Sequence, residues 1–96
     1  RLEPANQESL SNLGNVYAEQ GRTGEAIAQY RRALQNDPRD VQSYNNMAQT
    51  LIKAGRFAEA AEALEHLVRL DPGNAAAREM AKKLRGSDRP PPAASP

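Results

Sequence analysis

Cysteine is absent from this chain of 96 residues. Disulfide frameworks, thiolate metal sites and a cysteine nucleophile are therefore excluded, although the compartment is not fixed. Tryptophan is missing too, and the aromatics are Phe57 and three tyrosines. His66 is the single histidine, so no histidine pair stands at metal-ligand spacing, and no glycine-rich phosphate loop follows a strand-like segment. Neither sign of charge dominates: 13 Lys+Arg face 12 Asp+Glu, and a net charge of +1 gives no long-range pull toward nucleic acid or a membrane surface. No apolar run approaches the roughly 18–20 residues a membrane span needs, and the N-terminus lacks a signal-peptide pattern. The expectation is a soluble protein whose compartment stays open, with the cytoplasm favoured, and without cofactor, metal, nucleic-acid partner or direct membrane insertion. No constellation of side chains points to an enzyme.

What the chain does have is a period. Asp37-Pro38 returns 34 residues later as Asp71-Pro72, Gly21-Arg22 as Gly55-Arg56, Glu25-Ala26 as Glu59-Ala60, and Asn12 as Asn46. A fixed period of this size marks a stack of small units, each burying its apolar side only against a neighbour. Such proteins work with an extended surface. The 39% hydrophobic share rests on Ala and Leu, small side chains that suit close helix packing.

The punctuation falls where helices should stop. Over residues 7–20, Leu10, Leu13, Val16 and Tyr17 recur three or four apart, one face of a helix. Asn6 is placed to cap its start and Gly21 to end it. A second helix is predicted over 24–36, with Ala26, Ile27, Tyr30, Ala33 and Leu34 inward. Asp37-Pro38 stops it, because proline disfavours a helical residue before it. The cycle then restarts. Asp40 caps a helix over 41–54, with Tyr44, Met47, Ala48 and Leu51 on its apolar face. Gly55 closes it, and residues 58–70 follow with Ala60, Ala61, Leu64, Leu67 and Val68 buried.

Both flanks also carry information. Leu2, Glu3, Pro4, Ala5 and Asn6 read like Leu70, Asp71, Pro72, Gly73 and Asn74, the exit of a preceding unit. A shorter helix over 75–85 presents Ala77, Met80, Ala81 and Leu84 on one side and charge elsewhere, as a terminal cap must. Its late Lys82, Lys83 and Arg85 favour the negative end of the helix dipole. The predicted organisation is a tail of a preceding repeat (1–6), two complete units (7–40 and 41–74), a capping helix (75–86) and a proline-rich tail (87–96) expected to be disordered.

These residues resemble the tetratricopeptide repeat (TPR). Its pattern is a large apolar residue, Leu-Gly, then Tyr in the first helix, with Ala, an aromatic and a final Pro later. The first unit shows Leu10, Leu13-Gly14, Tyr17, Ala26, Tyr30 and Pro38. The second, further from the pattern, shows Tyr44, Met47-Ala48, Leu51, Ala60, Leu64 and Pro72. The resemblance covers residues 1–85 and implies an all-α, right-handed stack of antiparallel helical hairpins, here the C-terminal end of a longer array.

The resemblance also implies a protein-interaction scaffold whose first helices line a concave groove for an extended peptide or partner helix. In the first unit that face would hold Glu8, Ser11, Asn12, Asn15 and Glu19. In the second it would hold Gln42, Asn45, Asn46, Gln49 and Lys53, and the capping helix would add Glu79, Met80 and Lys83. Such a lining is rich in amides that can both donate to and accept from a peptide backbone. Asn12 and Asn46 stand in register as a possible ladder, against the plainer reading of Asn and Gln tolerated on a wet helix face. Chaperone-binding members clamp a C-terminal carboxylate with cations and asparagines. Asn15 and Asn46 match the asparagine slots, but Ser11, Ala76 and Met80 stand where the cations would be, which disfavours a clamp. The repeats of O-linked N-acetylglucosamine transferase, with their asparagine ladder, are more similar. Two further readings stay open: self-association through an exposed N-terminal repeat end, and a non-catalytic, substrate-presenting segment of a larger enzyme such as a glycosyltransferase. His66, four residues after Glu62, reads as a solvent-facing convex residue, and the Gly-Arg pairs as helix caps followed by solvated arginines.

Overall fold

In the computed structural model, residues 7–88 are described, with side chains from Ser9 to Gly86. Five helices follow one another: α1 (Gln7–Glu19), α2 (Thr23–Asn36), α3 (Val41–Lys53), α4 (Phe57–Leu70) and α5 (Ala75–Asp88). The predicted boundaries are met within a residue or two except at the end of α5. That helix runs through Gly86 to Asp88, so Ser87 and Asp88 are helical rather than part of the tail. The expected cap Asn6, the preceding-repeat segment 1–6 and tail residues 89–96 lie outside the described residues.

Local chemistry accounts for the breaks. Gly21 and Gly55 both adopt φ +77°, the left-handed conformation that glycine reaches without a Cβ clash. Around each, two backbone bonds satisfy carbonyls of the ending helix. Gly21 N–H donates to Ala18 and Arg22 N–H to Tyr17 at 3.0 and 2.9 Å, and Gly55 and Arg56 repeat this at Ile52 and Leu51. Asp40 caps α3 by accepting from Ser43 N–H at 3.3 Å, and Asn74 caps α5 by accepting from Ala77 N–H at 3.0 Å. Neither α2 nor α4 has a side-chain cap of this kind. Instead Arg22 and Arg56 at their N-caps each reach forward in a two-pronged ion pair, to Glu25 and to Glu59. These glutamates also sit in the first turn, where the helix dipole favours negative charge. The arginines are exposed but paired, not merely solvated, which accounts for the return of Gly, Arg and Glu at the 34-residue offset.

Each helix packs antiparallel to the next, and α1 and α3 lie side by side as first helices of successive hairpins. Ala26, Ala48 and Ala60 are fully buried, so backbones approach closely while Tyr30, Leu51, Leu64 and Leu67 fill the space between. Gly14 fits the same logic more sharply. A Cβ there would lie 2.6 Å from the Tyr30 ring.

The apolar face of α1 is only partly buried. Leu13 and Val16 are 40% and 47% exposed, whereas their equivalents one period later, Met47 and Thr50, are 9% and 6% exposed. The difference is positional. α3 is flanked by α2 and α4, whereas α1 has no described helix on the side away from α2 and α3. At the other end Ala77, Ala81 and Leu84 are buried against α4, and the other residues of α5 up to Gly86 are exposed.

Candidate functional site: an amide-lined hollow between first helices

Where α1 runs beside α3, they are joined by a buried hydroxyl pair, Ser11 Oγ to Ser43 Oγ at 2.9 Å. Ser43 donates onward to Asp40 Oδ2 at 2.7 Å. The cap of α3 therefore also anchors the contact between repeats. This corrects one expected groove residue: Ser11 is buried at that seam and does not face a ligand. The resemblance places Ser11 on the groove face, but its contact with Ser43, 32 residues away on α3, is not visible in local sequence.

Along the same seam, toward the C-terminal ends of the two helices, a hollow of about 200 Å³ opens. Asn15, Ala18 and Glu19 come from α1, Asn46, Gln49, Thr50 and Lys53 from α3, and Tyr30 reaches in from α2. A second hollow of about 540 Å³ shares Ala18, Glu19, Thr50 and Lys53 and extends past Gly21 and Thr23. Five of the expected site residues thus meet: Asn15, Glu19, Asn46, Gln49 and Lys53. Asn12, Gln42 and Asn45 lie on the same two helices outside the hollows, with Gln42 Nε2 donating to Asn46 Oδ1 at 3.1 Å. Glu79, Met80 and Lys83 are exposed on α5 and do not line it. The side chain of Glu8 lies outside the described residues.

Hydrogen bonds set how the amides present themselves. The Tyr30 hydroxyl donates to Asn15 Oδ1, and Gln42 occupies Asn46 Oδ1. Both asparagine carbonyl oxygens are thereby engaged, and both NH2 groups remain as donors with no partner among the described residues. Thr50 donates to the Asn46 carbonyl at 3.0 Å, tying its side chain back to the helix. Burial pushes the Tyr30 phenol above its ordinary pKa, against an opposing interaction with Thr50, so the hydroxyl is a neutral donor across the physiological range. Helical spacing places Tyr30 in the core but carries no sign of its polar tip in the groove. Gly14 was the available signal, since its missing side chain gives the ring its path between the helices.

Elsewhere, His66 is exposed, stacked on Tyr44 with ring centroids 5.4 Å apart, and its Nδ1 lies 3.1 Å from Arg69. Among the described residues no cluster of metal-ligating side chains occurs and no helix is long and apolar enough to cross a membrane.

Stacked antiparallel hairpins with small residues at the crossings and a polar seam between first helices define a helical-repeat scaffold. The sequence profile described as tetratricopeptide repeat matches residues 17–84, and the chain belongs to this family. It is similar to the TPR repeat-containing thioredoxin TTL4 of Arabidopsis thaliana, with 33% identity over 85% of this chain and 12% of that protein. It is also similar to Hsp70-Hsp90 organizing protein 3 of the same plant, 30% identical over 74% of this chain and 13% of that one. The chain thus spans only about an eighth of the length of these relatives. Among solved structures it shares its fold with the first TPR of Spaghetti (RPAP3) bound to the HSP90 peptide SRMEEVD. The TM-score is 0.76 at 18% identity, over 88% of this chain and 68% of that one.

Proposed function

We propose that this chain is a protein-interaction scaffold that holds an extended peptide or partner helix along the seam between α1 and α3. The observation that carries the reading is the pair of asparagines with engaged oxygens and available NH2 groups. Two such donors on successive first helices can meet successive carbonyls of an extended chain, whose backbone offers acceptors whatever its sequence. The peptide-bound TPR neighbour and the organizing-protein relative support a polypeptide as occupant. The lining does not support a carboxylate clamp, since Ser11 is buried and Ala76 and Met80 carry no charge. Binding is the role assigned to these residues, with no catalytic step.

A peptide selected from a display library against the wild-type chain tests this. Asn15→Ala with Asn46→Ala should weaken its binding by about fivefold or more, the loss of two hydrogen bonds at roughly 0.5–1.5 kcal/mol each. Amidation of the peptide's C-terminus should leave binding unchanged. Undiminished affinity in the double variant would sink the groove reading.

One observation favours a second reading, self-association. Leu13 and Val16 form an apolar strip on the outer side of α1, at positions that are covered one period later. Sedimentation at several hundred micromolar would then show a dimer that Leu13→Glu abolishes. A monomer throughout would exclude it.

A further inference from the structure

In each hairpin the first helix offers three positions to the second: Leu10, Gly14 and Tyr17 on α1, Tyr44, Ala48 and Leu51 on α3. These are apolar or small, and a helix packs on them. The corresponding residues of α5, one further period on, are Arg78, Lys82 and Arg85. A helix seat is therefore present, but its chemistry is inverted. Beside it runs a groove of about 420 Å³ with Val68, Ala81 and Gly86 as its apolar part and Glu65, Arg78, Lys82 and Arg85 as its charged part.

We propose that this seat receives an acidic amphipathic helix of a partner protein, in the place a sixth helix would take. Three features of the groove specify that occupant. Its cations recur at spacings of four and three along α5, one stripe on one helix face, and a partner helix with carboxylates at the same spacings presents a matching stripe. Three cations outweigh the one carboxylate, Glu65, which already holds Arg85 in a two-pronged bond at 2.8 and 2.9 Å. Arg78 donates to the Pro72 carbonyl and so is held near the groove mouth. Lys82 has no partner among the described residues and stands between them. The apolar strip of Val68 and Ala81 gives the partner helix a place for small side chains at ordinary helix-packing distance. None of these residues lines the hollow between α1 and α3, so the seat is a second surface, independent of the groove proposed above.

The probe is a fluorescein-labelled helical peptide of about five turns, with Glu at alternating four- and three-residue spacings and Ala and Leu beside them. A control peptide has the same composition with its glutamates spread around the helix. Saturable anisotropy binding to the wild-type chain is expected, at least tenfold tighter for the one-faced peptide and weaker as salt screens the charges. Arg78→Glu with Lys82→Glu should lower affinity more than tenfold, whereas Asn15→Ala with Asn46→Ala should leave it unchanged. Amide shifts of Val68 and Ala81 should move on titrating the wild-type chain, a readout that needs no variant to fold. Lack of saturable binding, equal binding of both peptides, or loss only in the asparagine variant would overturn the proposal. Because the asparagine variant separates the two surfaces, failure here leaves the groove reading standing.

Discussion

Gly14 and Tyr30 depend on each other. The ring occupies the volume a side chain at position 14 would need, and its hydroxyl then emerges beside Asn15. Gly14→Ala should therefore act at two levels. Overpacking of this kind costs roughly 1–3 kcal/mol, visible as a lower midpoint in thermal or urea unfolding, and the displaced hydroxyl should release Asn15 and weaken peptide binding beyond the loss of stability. Tyr30→Phe separates the effects, since it keeps the packing and removes only the donor. Much of this residue-level detail was legible in advance. Small residues at positions 14, 26, 48 and 60 announced close helix approach. What could not be read was how far a side chain reaches, because Tyr30's exit into the groove depends on the relative tilt of α1 and α2. Ser11 failed for the same reason, its partner being 32 residues away on α3.

Helix ends show where one-dimensional signals suffice. Gly21 and Gly55 stop helices because the chain there turns through a left-handed residue, and the two Asp-Pro pairs stop α2 and α4 for the steric reason given above. Gly86 carries the same sequence signal, yet α5 passes through it, since positive φ is confined to Gly21 and Gly55 among the described residues. Glycine permits a stop without imposing one. Asp40 differs from the other caps in its double duty, holding both the first turn of α3 and, through Ser43, the seam with α1. Asp40→Ala should lose more than the roughly 1 kcal/mol typical of a cap, whereas Asn74→Ala, whose bond ends within α5, should lose about that amount. Chemical unfolding of both variants measures the difference. Equal losses would show that the hydroxyl chain contributes nothing.

At the scale of the whole molecule, Ala77, Ala81 and Leu84 of α5 are buried, and the Arg85–Glu65 ion pair reaches across from α5 to α4. Arg85 holds the Glu65 carboxyl below its ordinary range, chiefly by direct hydrogen bonding. A carboxylate whose folded pKa is depressed adds stability above the unfolded value, near 4.3, and that stability fades as pH falls through the lower folded value. The pair is exposed, so its worth is under about 1 kcal/mol. Glu65→Gln should lower the melting temperature slightly at pH 7 and less at pH 3, and at pH 7 it should speed amide exchange in α5 more than in α1. A difference between variant and wild type that persists undiminished at pH 3 would rule out the charge as its source. The period made the five helices and their order legible, but it said nothing of this bridge, which has no counterpart one repeat earlier: Arg31 and Leu51 stand at the corresponding positions.

The inverted seat on α5 also bears on how the size of such a stack is encoded. Hairpins propagate here by local complementarity, each first helix offering a dry, narrow surface that the following segment must cover. Arg78, Lys82 and Arg85 withdraw that offer with three side chains, leaving the backbone geometry intact. Whether a further hairpin can pack on a first helix is thus set by a few side chains rather than by the backbone. Exchanging those three residues for Tyr, Ala and Leu and appending a copy of α4 should let the array grow by one more hairpin.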